Sequence, residues 1–176
     1  MSVDDFSGRT PELVVDRYFA GHTRAWGLFE DRFGRVRRQF VVDMNGRHDG
    51  DEFVLDERFT YDDGEVQSRV WRIRATGPDR YEGRACDVVG VAIGEAKGNA
   101  LHWRYTLNLP IDGRIWAVNF DDWMFLQTDG VLLNRAHMSK WGIELGSVTL
   151  LFQKLDAARS DAAGFQSPVA APIAAK

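Results

Sequence analysis

Arg38, Glu57 and Arg69 are the residues of this chain whose type and spacing could do chemistry together. Each lies in a run of alternating apolar and polar residues, on the apolar parity, and is expected to point inward. Arg38 shares its parity with Val36, Phe40, Val42 and Met44. Glu57 shares it with Phe53, Leu55, Phe59 and Tyr61, and Arg69 with Trp71 and Ile73. A hairpin turning near residues 47–48 would set Arg38 opposite Glu57. A three-residue loop at 62–64 would set Glu57 opposite Arg69. Residues directly opposite on paired strands have Cβ atoms about 4.5–5.5 Å apart, so the three charges would meet. Asp87, on the parity of Tyr81, Gly83 and Ala85, would join beside Arg69. Such a ladder is either an anchor for the acidic head group of a ligand or a self-contained ion network that fixes strand register, because buried ions are costly unless paired.

A second group lies further along. Leu101, Trp103, Tyr105, Leu107 and Leu109 alternate with polar residues, and Asp122 falls among Phe120, Met124 and Leu126 on an inner parity. A two-residue turn at Asp112-Gly113 would place Trp103 opposite Asp122. A two-residue turn at Asp129-Gly130 would place His137 opposite Asp122, and a one-residue slip would bring Ala136 or Met138 there instead. An Asp–His pair orients an imidazole as an acid, a base or a ligand; a hydrogen-bonded core histidine is the plainer alternative. The expected ligand-binding residues are therefore Arg38, Glu57, Arg69, Trp71, Trp103, Tyr105, Asp122 and His137. No catalytic residue is assigned, and neither a metal nor a cofactor is expected.

Other motifs are weaker. His22, His48, His102 and His137 lack recognisable metal-ligand spacing. Asp62-Asp63 and Asp121-Asp122 cannot form dyads on strands, where successive side chains face opposite ways. The glycine-rich stretch 90–98 lacks the Lys-Ser/Thr ending and following helix of a phosphate loop; its glycines read as bends in strands. Cys86 falls on the outer parity.

The elements that must position these residues are strands. Candidates run over 22–31, 35–45, 51–62, 65–77, 80–88, 91–97, 100–110, 114–128, 131–141 and 143–154. Four Asp-Gly pairs and one Asn-Gly pair, Asn45-Gly46, punctuate them, and such pairs are the strongest short-range hairpin signal. No long helix-period segment intervenes, so parallel βαβ units are excluded. A long antiparallel meander with alternating faces closes on itself and removes its edges. The expected fold is all-β: an antiparallel up-and-down β-barrel of about ten strands, of the lipocalin or fatty-acid-binding type. Thr10 as N-cap and Pro11 at the first helical position predict one short helix over 10–20, covering a mouth. The single barrel domain spans 10–155, after a loose segment at 1–9 and before a disordered Ala/Pro-rich tail at 156–176.

Bulk properties narrow the classes. The net charge is −4 and the pI about 5.6, unlike the basic footprint of a nucleic-acid binder. One cysteine excludes an internal disulfide. No apolar run reaches the roughly 18–20 residues of a membrane helix. The opening residues show neither a positive n-region nor an apolar h-region, so the sequence as written reads as cytoplasmic.

Several stretches together resemble one known family: Ala25-Trp26-Gly27, Asp31 to Gly34, Leu55 to Gly64, Arg69-Val70-Trp71, Asp87 to Gly90, Gly98 to Tyr105, Asp121 to Met124 and Ser139 to Gly146. They resemble an uncharacterised bacterial domain-of-unknown-function family, many of whose members are described as lipoproteins, over about residues 8–154. The resemblance implies a bacterial protein with a calycin-like barrel, a lipid-like ligand, peripheral membrane association and, for a chain whose leader has been removed, the cell envelope. It carries over no established catalytic residues. Family members typically begin with a signal and a lipid-modified cysteine, and this chain shows neither.

Three functional readings follow. The first is a non-enzymatic carrier for a small amphipathic molecule of fatty-acid or lipid-like type. The second is a cofactor-free isomerase- or cyclase-type enzyme using Asp122 and His137 with Glu57. The third is a barrel filled solid by its own aromatics, with a structural or interaction role and a cavity well below about 300 Å³. The oligomeric state is left open.

Overall fold

The computed structural model describes residues 1–111 and 113–155. Ten strands follow one another in chain order: β1 (Gly21–Asp31), β2 (Val36–Asp49), β3 (Glu52–Tyr61), β4 (Val66–Gly77), β5 (Arg80–Arg84), β6 (Ala92–Lys97), β7 (Ala100–Ile111), β8 (Arg114–Leu126), β9 (Leu132–Lys140) and β10 (Ile143–Lys154). Each pairs antiparallel with the next, and β1 pairs with β10 from Thr23↔Lys154 to Asp31↔Gly146. The meander thus closes into a barrel with no free sheet edge. The tail expected over 156–176 lies outside the described residues.

Strand direction alternates, so the hairpin tips sort into two ends. The β1–β2, β3–β4, β7–β8 and β9–β10 tips and the β5–β6 loop gather at one end. The remaining tips lie at the other, together with the only α-helix among the described residues, α1 (Val15–Phe19). This helix is shorter than the predicted 10–20. Thr10 and Pro11 do not start it; Val14 stands at its N-cap without a side-chain cap. The Leu13 N–H donates instead to the Gly98 carbonyl at 2.8 Å, which ties residues 12–14 to the barrel rather than to a first helical turn. Val15, Tyr18 and Phe19 are buried, and the Tyr18 hydroxyl donates to the carbonyls of Gly130 (3.1 Å) and Phe152 (3.3 Å).

The helix end fixes the meaning of Asn45-Gly46. This pair is not a turn: β2 runs through it to Asp49. A Cβ at Gly46 would stand 2.1 Å from the Phe19 carbonyl oxygen. The glycine is there so that α1 can touch the sheet. Near the N-terminus, Val3–Phe6 forms a 3-10 turn, and Phe6 packs outside the barrel against Phe125, with centroids 5.3 Å apart.

The core follows the alternation. Leu55, Trp71, Ile73, Leu101, Trp103 and Phe152 are buried in one interior cluster continuous with α1. Val54 is buried despite its outward parity; Arg47 and Arg72 flank it in register, and long arginine stems cover apolar surface well.

Candidate functional site: the barrel lumen

The interior is not filled. A cavity of about 520 Å³ runs along the barrel axis, bounded by Val15 and Phe19 of α1 at one end and by Tyr61, Gln67, Leu109 and Ile111 at the other. Seven of the eight expected site residues line it: Arg38, Glu57, Arg69, Trp71, Trp103, Tyr105 and Asp122.

The aromatic wall is built by close approach. Trp103 lies over two glycines of the neighbouring strands: a Cβ would stand 2.2 Å from its ring at Gly94 and 2.5 Å at Gly83. Gly94 therefore makes room for an indole, beyond the predicted role of bending a strand. Trp71 meets Trp103 edge-on at 5.8 Å and Tyr105 edge-on at 5.5 Å, the geometry that aromatic quadrupoles favour.

The charged ladder forms in part. Glu57 is opposite Arg69 as expected, with Arg69 Nη1 and Glu57 Oε2 3.7 Å apart. Asp87 joins it: Arg69 donates from Nε at 2.9 Å and from Nη2 at 2.8 Å to Asp87 Oδ2. Arg38 does not meet Glu57. The β2–β3 hairpin turns after Asp49, not near 47–48, so Met44 takes the place opposite Glu57. This six-residue shift keeps parity, and Arg38 still faces the lumen, but near its rim. There its Nη2 donates to Asp63 Oδ2 (2.8 Å) and Glu65 Oε2 (2.8 Å), and its guanidinium covers the Tyr61 ring at 3.6 Å.

Asp122 is opposite Trp103 as expected, but it is not paired with His137. The alternative slip is the one that occurs: Ala136 lies opposite Asp122, and His137 lies opposite Asp121 on the outer wall, its side chain 43% exposed and 3.4 Å from Glu144. The cause is the turn. Gln127 and Val131 close a three-residue loop, one residue longer than the predicted Asp129-Gly130 hairpin, and one residue reverses every side chain downstream. Asp122 is instead held by the Tyr105 hydroxyl, which donates to Oδ2 at 2.7 Å, and by Asn134 Nδ2, which donates to Oδ1 at 3.2 Å. Asn134 is not among the residues expected from sequence; it shares a parity with Leu132, Ala136 and Met138, which a two-residue turn at Asp129-Gly130 would have sent outward.

Burial sets the charge state of this belt. It pushes Glu57 up to about 7, the Arg69 charge opposing. It pushes Asp122 up to about 6 against the hydrogen bonds from Tyr105 and Asn134. Burial and the Asp122 charge hold the Tyr105 hydroxyl well above its ordinary range. Burial also works against the Arg69 cation, but Glu57 and Asp87 outweigh it and keep Arg69 firmly protonated. Three buried polar atoms on residues that line the lumen have no hydrogen-bond partner among the described residues: the acceptors Glu57 Oε2 and Asn134 Oδ1, and the donor Arg38 Nε near the rim. An apolar tube with a few fixed polar groups is what small-molecule sites are made of, and shifted carboxyl pKa values in a cavity mark candidate functional groups.

Comparison with curated proteins finds no match. A family model described as "Protein of unknown function (DUF3833)" matches residues 1–154, the whole barrel and its N-terminal extension. The chain belongs to the DUF3833 family.

Proposed function

We propose that the chain is a non-enzymatic binding or carrier protein for one small amphipathic, lipid-like molecule held inside a lipocalin- or calycin-like barrel. The observation that carries this reading is the lumen of about 520 Å³, within the roughly 300–1,000 Å³ of ordinary ligand sites. That volume also counts against a barrel filled solid by its own aromatics. The enzyme reading loses the imidazole it was built on, since His137 faces outward.

The polar belt points to the kind of head group. Arg69 is taken by Asp87 and Arg38 by Asp63 and Glu65. A ligand carboxylate at Arg69 would have to displace Asp87 and lie beside Glu57, and one at Arg38 would find Nε free but lie beside Asp63 and Glu65. Of the lumen groups that lack partners, Arg38 Nε is a donor near the rim, and the two deeper ones, Glu57 Oε2 and Asn134 Oδ1, are acceptors. A ligand with an apolar body and a hydroxyl or protonated carboxylic acid matches them better than a fatty-acid anion does.

Thermal denaturation with a twelve-carbon alcohol and the matching carboxylate at pH 8 tests this. The alcohol is expected to raise Tm in a concentration-dependent way, and the carboxylate to do so less. No shift with either probe would contradict ligand binding, whereas a larger shift with the carboxylate would contradict only the head-group assignment.

A further inference from the structure

The end of the barrel opposite α1 carries an apolar rim that the fold itself does not use. Three tips adjoin one another around the barrel, because β2/β1, β10/β9 and β8/β7 are consecutive in the strand order. Their exposed residues are large and apolar: Phe33 (72%), Trp141 (82%) and Ile115 (68%), with Val36, Ile143 and Ile111 beside them. The tips are stitched into one surface. The Arg32 N–H donates to the Leu145 carbonyl at 3.0 Å, and Lys140 Nζ donates to the Ala117 carbonyl at 3.0 Å.

Trp141 supplies a second, independent observation. It occupies the first of two left-handed positions in its hairpin, with φ of 53° followed by 76° at Gly142. Such positions favour Asn, Asp or Gly, and a bulky residue there is strained. An indole placed at a strained site in full solvent adds nothing to the core. Local rules are broken in this way mainly where function requires it.

The charges around the rim choose its partner. Arg32, Arg35, Arg37, Arg114 and Lys140 belong to these three tips in sequence against Asp31, Asp112 and Glu144, a local positive balance in a chain of net charge −4; further acids at this end, Asp62, Asp63 and Glu65, belong to the β3–β4 tip, where Arg38 pairs with Asp63 and Glu65. Asp31 is taken by Arg37 at 2.7 Å. Arg32 stacks over Phe33 at 4.7 Å, and Lys140 over Trp141 at 4.6 Å. Cations beside exposed aromatics are the composition of segments that sit in the lipid headgroup layer: the rings enter the interface and the bases meet anionic phosphates. We propose that these three tips dock the open mouth of the barrel onto an anionic lipid surface, so that the lumen faces the bilayer. The lumen's contents play no part in this inference.

Co-sedimentation with vesicles of phosphatidylcholine alone, or mixed with phosphatidylglycerol, tests it. The full chain is expected to bind the mixed vesicles at least tenfold more tightly than the neutral ones, and less tightly as salt rises. The double variant Phe33→Ser, Trp141→Ser is expected to lose at least tenfold in affinity. Trp26→Ser, on the barrel wall, is the control and is expected to bind as the parent does. Circular dichroism of each variant verifies the fold, and Arg32→Gln with Arg114→Gln probes the charge without touching the apolar tips. Failure to bind mixed vesicles would overturn the proposal, as would binding indifferent to both sets of variants. So would sedimentation velocity showing that the same rim residues instead join two copies of the chain.

Discussion

Asp87 meets Arg69 at 2.8 Å from a loop, at the place a strand would have put it. The β4–β5 register pairs Arg72 with Arg84 and Ile73 with Gly83; carried on, it would set Arg69 opposite Asp87. β5 stops at Arg84, yet the loop stays in line because the Asn108 N–H donates to the Asp87 carbonyl at 2.8 Å and the Val89 N–H to the Thr106 carbonyl at 2.8 Å. The loop thus closes the barrel wall between β4 and β7 and delivers a carboxylate to a buried cation.

Replacing Arg69 tests that pairing. Arg69→Met leaves Asp87 and Glu57 without their cation. Removing one partner of a buried ion pair costs about 3–5 kcal/mol, and a loss of that order is expected in urea unfolding at pH 8. Adding Asp87→Asn and Glu57→Gln to Arg69→Met is expected to restore much of it, since no uncompensated charge then remains. A triple variant no more stable than the single one would contradict this account of the belt.

Glu57 gives a pH signature. Its pKa is raised from 4.5 to about 7 in the folded chain, so between those values the folded state holds more protons than the unfolded one. Stability from this group is therefore fully present below pH 4.5 and falls as pH rises toward 7. Glu57→Gln mimics the protonated form at every pH. At roughly 1.36 kcal/mol per pKa unit, the variant is expected to gain about 2–3 kcal/mol relative to the parent between pH 4 and pH 8. Urea unfolding at both pH values checks it; a difference independent of pH would place Glu57 in water.

Asp122 and His137 separate by face. Tyr105→Phe removes a buried hydrogen bond to Asp122 and is expected to cost about 1–3 kcal/mol. His137→Ala, on the outer wall, is expected to change stability by less than about 0.5 kcal/mol. Thermal denaturation of the two variants side by side reads the contrast, and a large effect of His137→Ala would restore an inward histidine.

Gly46 ties the helix to the barrel. Gly46→Ala would drive a methyl group into the Phe19 carbonyl oxygen, and overpacking of this kind costs roughly 1–3 kcal/mol. Hydrogen exchange is expected to accelerate in residues 15–19 in the variant before it does so in β7 and β8. Unchanged exchange in α1 would mean that the contact is not tight.

Strand number, strand order and barrel closure were legible because the alternation is strong and the turn residues are frequent. What sequence could not supply was register. At Asp63-Gly64 and Asp129-Gly130 the same dipeptide ends a three-residue loop, with Gly at a positive φ of 86° and 83°. The expectation treated the first as such and the second as a two-residue turn. The first gave Glu57↔Arg69 correctly; the second put His137 inside when it is outside. Asn45-Gly46 misled for another reason: its glycine answers to a carbonyl oxygen brought from α1, a tertiary contact that no local pattern encodes. The lumen itself depends on how far side chains reach across the barrel, which parity alone does not give.

Quenching of tryptophan fluorescence by a twelve-carbon alcohol carrying a terminal bromine tests the open lumen most directly, because Trp71 and Trp103 line it. Saturable quenching is expected in the parent chain and is expected to fall by most of its amplitude in the folded Trp71→Phe, Trp103→Phe variant. Quenching that never saturates, or that is unchanged when those two indoles are gone, would mean the probe does not enter the barrel.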